Sequence, residues 1–371
     1  MKNIYDFLII GSGIVGSSLA YGLSQEKSLK IAMLDAYDTT YRASIGNYGL
    51  TWLQSKGYNS PDFARMAERS LRMWNDFKDE LEDRSKIDLE FVQKGGLHFC
   101  FDEAEFEQRA KKMKNIGSYY LNDSTKTIML DRQSVKELYS GLGNEVIGAS
   151  YNSFDGYLSP AKLLKAQLKI CRKNGVIYVP NFLALNIKKV DSEYVVTSEN
   201  GSTIKAKKLI LSAGLSNMNL AKQLGINVPI KPEKGHILVT QKIKNLCLLP
   251  SLNIRQAQNG ALLLGYSNED VGYNESINED VVQNILKKAM RILPEIKDIN
   301  ILRSWSSLRI MPKDGKPIYD NIDKTLHIVS THSAITFAPI HAKEVSNSIL
   351  NGVKLEELED FTLDRFVKKE S

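Results

Sequence analysis

Ile4-Tyr5-Asp6-Phe7-Leu8-Ile9-Ile10-Gly11-Ser12-Gly13-Ile14-Val15-Gly16 is the stretch whose reading decides the fold. Ile4 to Ile10 is short and mostly apolar, as suits a strand buried in a parallel sheet. It runs straight into the glycine loop, and Ser17 to Gln25 then has a helical pattern. A second apolar run, Ile31-Ala32-Met33-Leu34, ends on Asp35. Strand, GxGxxG, helix, strand and acid form the dinucleotide fingerprint in its required context. Gly11 makes the tight turn, Gly13 lets backbone approach a pyrophosphate, and Gly16 lets helix and strand pack closely. The helix N-terminus offers unsatisfied N–H groups to the phosphate, so Ser12, Ile14 and Val15 join the glycines as cofactor-binding positions. Asp35, 19 residues beyond Gly16, can accept from ribose hydroxyls with Ala36 beside it. A 2′-phosphate would be repelled there, which disfavours NADP. The fingerprint alone does not separate NAD from FAD.

The 371 residues suggest about two domains. A hydrophobic fraction of 43% with 25% charged residues excludes a disordered chain. The net charge of +6 is mild, and Lys111-Lys112-Met113-Lys114 reads as a solvated helix face, so no nucleic-acid partner is expected. Cys100, Cys171 and Cys247 lack metal-ligand spacing; no metal site is expected, and the odd count reads as a reduced cytoplasmic protein. No apolar run approaches the length of a membrane helix. A signal peptide over Met1 to Gly22 is rejected, because cleavage there would remove the glycine loop and Asp6 spoils its basic start.

Further along, Trp52 to Glu82 reads mostly as helix and Phe91 to Phe101 as a strand broken at Gly95-Gly96. Ser159-Pro160 starts another helix. Strands follow at Val176–Val179, Leu185–Val190, Tyr194–Ser198, Thr203–Ala206 and Lys208–Leu211, the last stopping on Ser212-Ala213-Gly214. Small residues at a strand's end let backbone lie against a ligand at the sheet's C-terminal edge. Gly235–Thr240 and Gly260–Gly265 read as antiparallel strands, Asn278–Ile292 as an amphipathic helix, and Thr325–Val329 as a last strand before Ser330-Thr331-His332-Ser333. Dinucleotide-type strands thus recur near the start, the middle and the end of the chain. The expected fold is α/β: a Rossmann-like FAD-binding domain (1–85, 150–218 and 315–371) interleaved with an α+β substrate domain (86–149 and 219–314) built on an antiparallel sheet.

The assignment of FAD comes from a resemblance. The fingerprint, Asp155-Gly156 to Pro160, Ala213-Gly214, Lys234-Gly235-His236, Leu308-Arg309 through Lys316-Pro317 and His332-Ser333 stand in an order and spacing that resembles the D-amino-acid oxidase-like superfamily of FAD-dependent oxidoreductases. Arg42 to Gln54 and Thr331 to Ala342 are similar to one branch: opine oxidase B subunits, hydrogen cyanide synthase C subunits and the FAD subunits of proline and hydroxyproline dehydrogenases. The resemblance implies that Arg309 grips a substrate carboxylate; a structural salt bridge with Asp314 or another acid is the alternative. It brings Arg42, Ala43, Ser44, Asn47, Tyr48, Gly49 and Leu50 past the pyrophosphate and flavin, with Ala184, Ser212, Ala213 and Gly214 along the cofactor. Ser333, Ala334, Ile335 and Thr336 come to the flavin's pyrimidine edge, although Thr331, Ala334 and Thr336 stand where the family carries glycine. His332 either touches the cofactor or caps a strand; with Tyr48 and Arg309 it completes the candidate catalytic set, and Tyr48 and Trp52 line the substrate cavity or belong to the core.

The implied reaction is hydride transfer from a carbon beside an amine nitrogen to the flavin, giving an imine that hydrolyses. Ile310 and Met311 stand where some relatives attach flavin through cysteine, and no histidine stands near Tyr41-Arg42, so the FAD is expected to be non-covalent. Leu263 stands where sarcosine-type oxidases place a lysine over the flavin, which favours a dehydrogenase of amino acids, secondary amines or opines, with a partner protein or quinone as acceptor. The rivals are a peroxide-forming glycine, sarcosine or D-amino-acid oxidase, an FAD-carrying subunit inactive without partners, and an RNA-modifying enzyme. The expected location is cytoplasmic, with attachment to the inner membrane's surface as the variant.

Overall fold

The computed structural model describes residues 4–36, 42–246, 248–352 and 356–367; Tyr41 and Cys247 lie outside them. The first strand, Ile4–Ile10, pairs in parallel with Ile31–Leu34 on one side and Thr203–Leu211 on the other. Ile177–Val179 extends the sheet beyond the former and Leu326–Ser330 beyond the latter, both in parallel, and the antiparallel strand Ile318–Asn321 closes that edge. Thr203–Leu211 is one continuous strand where sequence suggested two. Its free edge is shared: the first half pairs with Glu193–Ser198 and the second with Leu326–Ser330.

Burial on both faces explains the uninterrupted apolar strands. Phe7, Ile9, Ile31, Met33 and Ile210 pack against the helices Ile14–Leu23, Pro61–Ser85 and Pro160–Lys173 through Leu19, Leu71 and Leu163. The alternate residues Leu8, Ile10, Ala32, Leu34, Leu209 and Leu211 meet Tyr194, Val196 and Leu220 on the opposite face. Period-two alternation thus sends every second side chain to a different, equally covered core.

Ile254–Gln256, Ala261–Gly265, Ile230–Lys242 and Ile301–Pro312 form an antiparallel sheet in that order. Gly96–Cys100, Gly148–Asn152 and Ile128–Asp131 form a second one, joined to the first where the Leu97 N–H donates to the Pro250 carbonyl at 2.9 Å. Leu97, Phe99, Leu238, Leu262, Leu264 and Ile285 fill the core between them. The strand Gly148–Asn152 spans the expected boundary at 149/150, and its pairing assigns it to this antiparallel portion. The helix expected from Trp52 begins at Pro61 instead, because Gly57 turns the chain at φ +85° and Pro61 occupies the first helical turn. Among the described residues no helix is long and apolar enough to cross a membrane.

Candidate active site

A cavity of about 740 Å³ opens at the C-terminal ends of the parallel strands and runs to the antiparallel sheet Ile230–Lys242/Ile301–Pro312. Its near end is built from the glycine loop. Gly11 adopts φ +99°, and a Cβ there would lie 2.5 Å from the Ser212 carbonyl oxygen. At Gly16 a Cβ would sit 1.9 Å from the Gly11 carbonyl. No larger residue fits either place. Gly13 faces Ser44, whose Oγ accepts from the Ile14 N–H at 3.0 Å. Ser212 Oγ donates to the carbonyls of Ile10 and Gly11. The Asn217 amide donates to the Leu211 and Val329 carbonyls, while its oxygen accepts from the Ala213 N–H. One side chain thereby ties together two strand ends that line the cavity.

Asp35 is buried, and its carboxylate accepts from the Ser12 N–H at 2.7 Å and the Ser12 hydroxyl at 2.5 Å. Its other oxygen pairs with Arg42. Sequence reading gave Asp35 a ribose and Arg42 a phosphate; in the structure both residues line the cavity and are paired with each other. Ala36, Ala43, Ser44, Asn47, Tyr48, Leu50, Ala184, Ser212, Ala213 and Gly214 also line it. Gly16 and Gly49 stand behind the wall; Gly49, at φ +89°, is pressed against the Leu158 carbonyl. Beside Ala184 the wall is apolar, with Leu164, Leu168, Tyr178 and Phe182. Those four escaped the sequence reading, although Leu164 and Leu168 show the four-residue spacing of one helix face.

At the far end Arg309 lies on the strand Ile301–Pro312. Its Nη1 donates to the Ser267 carbonyl and Asn268 Oδ1, each at 2.8 Å, and to Glu233 at 3.1 Å. Asp314 is held by Arg365, and the acid that pairs with Arg309 is Glu233, so the salt bridge considered for it is present with another acid. His332 lines the cavity, and its Nδ1 shares a 2.8 Å hydrogen bond with Ser333. Burial, reinforced by the positive charges of Lys56 and Arg309, holds its imidazole well below the usual pKa, so the ring is neutral. Ser333, Ala334, Ile335 and Thr336 complete that wall, and Ser333 takes the left-handed turn at φ +68°. Thr336 Oγ1 accepts from the Trp52 N–H, while its carbonyl accepts from Ser70 and Trp74.

Two features overturn expectations. Leu263 is absent from the cavity wall, and its carbonyl accepts from the Tyr48 hydroxyl at 2.7 Å. Instead a buried cation that the sequence reading missed, Lys56, lines the cavity. A leucine at position 263 therefore does not leave the cavity without a cation. Nothing local to Ser55-Lys56-Gly57 marks that lysine as buried; its burial comes from strands and turns distant in sequence. The acidic and aromatic residues Glu233, Tyr266, Tyr273 and Glu275 at the same end were likewise unread.

A dinucleotide fingerprint at one end and an antiparallel sheet carrying an arginine at the other frame a site for a dinucleotide cofactor and an anionic substrate. Comparison places the chain among known proteins: residues 6–348 match the family described as FAD dependent oxidoreductase, and the chain belongs to it. It is 34% identical over 363 residues to the B subunit of opine oxidase from Agrobacterium tumefaciens (strain Ach5), covering 97% of each chain. Among solved structures it is similar to glycine oxidase from Geobacillus kaustophilus (TM-score 0.89, 20% identity, 98% and 99% coverage). L-proline dehydrogenase from P. horikoshii matches with a TM-score of 0.86 at 19% identity, over 100% of this chain and 99% of that one. The cradle fits the family's cofactor: the glycine positions admit no side chain, and the cavity starts at a helix N-terminus.

Proposed function

We propose that the protein is a dehydrogenase of amino acids, secondary amines or opines, oxidising a C–N bond to an imine that water hydrolyses. One observation carries the reading: a cavity beginning at a dinucleotide loop ends on Arg309, whose Nη2 and Nε have no acceptor among the described residues. A substrate carboxylate can take two parallel hydrogen bonds from such a fork, fixing the adjacent carbon's orientation. Non-covalent FAD, when bound, would supply the hydride acceptor. The chain's own contribution is placement and charge. Ser333 to Thr336 line the cavity and would offer backbone N–H groups to the flavin, and the helical stretch from Ala338 would add its positive end. Neutral His332 and Tyr48 shape the wall around the reacting carbon.

Similarity to an opine oxidase supports an opine substrate, and that relative's being one subunit among others supports a partner chain that passes electrons on. A second reading, a peroxide-forming oxidase, is favoured by Lys56, because a buried cation stabilises negative charge developing on oxygen. An anaerobic screen of amino acids and opines for loss of flavin absorbance tests the proposal; a flavin that none of them bleaches would sink it. With the substrate found, peroxide yield against dye reduction decides the acceptor, and stoichiometric peroxide establishes the oxidase.

A further inference from the structure

We propose that Lys56 is the base of this site: as a neutral amine it takes the proton from the substrate's ammonium, freeing that nitrogen's lone pair for oxidation. The inference rests on the amine-oxidising reading above. Its first support is the mount. In the turn 52–57, the Trp52 N–H donates to Thr336 Oγ1 at 3.1 Å and the Leu53 N–H to Asp155 at 2.5 Å. The Gln54 amide donates to Asp155 and to the Gly96 carbonyl, and its oxygen accepts from Arg109 at 3.1 Å. The Lys56 N–H bonds back to the Leu53 carbonyl. These bonds fasten the backbone of the turn and the Gln54 side chain, and Lys56 lines the cavity from it.

That group is the anomaly. Lys56 is 6% exposed, yet among the described residues its side chain bonds only Ser55 Oγ, at 3.3 Å, and has no carboxylate within ion-pair distance. Lys234 shows what a structural buried lysine looks like here: its Nζ donates to the Ser276 carbonyl at 2.9 Å and lies 3.6 Å from Glu269. A buried ammonium without such partners loses its proton readily. The charged and titratable groups facing Lys56 are Asp155 from the turn before Gly156–Tyr157, Lys112 from the helix Glu103–Gly117, and His332. Asp155 favours the charged form, but burial and Lys112 oppose it and bring the amine down to about 8. The cavity's other candidates serve less well: Glu233 is bonded to Arg309, Glu275 is exposed, and His332, held well below its usual pKa by burial, is too weak a base.

The step balances. The substrate N–H bond breaks heterolytically, its proton joins the Lys56 lone pair, and its electron pair stays on the substrate nitrogen. As hydride leaves the neighbouring carbon for the oxidant, that pair becomes the π bond of the imine. Lys56 ends as an ammonium and returns its proton to solvent before the next turnover.

Anaerobic reduction of the FAD-loaded enzyme by iminodiacetate and by L-proline, followed at the flavin absorbance across pH, tests this with Lys56→Met and Lys56→Arg. The wild-type rate rises to a plateau with a midpoint near 8. Both variants fall by about tenfold or more at neutral pH and recover only as the substrate's own ammonium ionises. Binding of pyrrole-2-carboxylate, which has no basic nitrogen, stays within about threefold, since a base adds no affinity for it. A Lys56→Arg enzyme with wild-type rate and midpoint shows a fixed cation and overturns the proposal. If neither amine reduces the wild-type flavin, the functional reading fails for these substrates, and Lys56 is judged by acetic anhydride labelling of the holoenzyme with mass spectrometry. A labelling midpoint near 8 supports the base; one at the ordinary lysine value near 10.5 overturns it.

Discussion

At Gly16 a single methyl group decides whether the cofactor loop can form, since it would strike a backbone carbonyl that cannot move aside. Gly16→Ala is expected to destabilise the chain by about 1–3 kcal/mol and to leave it purified without FAD; thermal unfolding and the flavin-to-protein absorbance ratio check both effects. Arg309→Met is expected to weaken carboxylate substrates by about 2–3 kcal/mol, roughly 30- to 150-fold in kcat/KM, while FAD content is unchanged. Arg309→Lys recovers part of the loss, because the charge returns without the fork. These residues were legible in sequence for different reasons. Gly11, Gly13 and Gly16 act within a few residues of one another, so their constraint is written locally. Arg309 came from a family pattern. Lys56 could not be read, because the turn that carries it is held through Leu53 and Gln54 by Asp155 and Gly96, far along the chain.

The turn 52–57 concentrates opposed ionisations. Burial pushes the Asp155 carboxyl up to about 7, outweighing the hydrogen bonds from Leu53 and Gln54. An acid raised in the folded state stabilises it fully below its unfolded value of about 4, and that contribution is lost as pH rises through the folded value. Lys56 runs the other way: a base lowered to about 8 destabilises the fold below that pH and ceases to do so above the ordinary lysine value. Lys56→Met is therefore expected to be more stable than wild type at neutral pH, by about 1–3 kcal/mol. The difference should shrink as the pH is raised through 8. Melting curves of both proteins across this range check it; a variant less stable at neutral pH would mean the ammonium is well held. Element boundaries were harder to read than element types. Ile301–Pro312 gave no strand signal because its polar residues, including Arg303, Ser306, Ser307 and Arg309, fall on both faces. Its partner Gly235–Thr240 kept enough apolar character to be seen, although it proved to be the middle of the longer strand Ile230–Lys242.

For the whole molecule, we propose a nucleotide-binding portion built from residues 1–85, 153–218 and 315–371, and a substrate portion from 86–152 and 219–314. The cavity joins them, so bound FAD stabilises both: at about 100-fold excess over its Kd the gain is about 2.7 kcal/mol, and stripping it should lower Tm and broaden the transition. Cys100 and Cys171 are buried away from the cavity wall. Acid precipitation is accordingly expected to leave a colourless pellet and a yellow supernatant, and a yellow pellet would show a covalent flavin. The strand Thr203–Leu211 has a consequence for biogenesis. It lies between Ile4–Ile10, made well before it, and Leu326–Ser330, made well after it. The glycine loop therefore emerges well before Ser212 and Ala213, which press against Gly11, and before Leu326–Ser330, the next strand of the sheet. Folding must wait on distant contacts, with apolar strand edges uncovered meanwhile. Cofactor capture must await the later segments Ser212–Gly214 and Thr331–Thr336, which line the same cavity as the glycine loop.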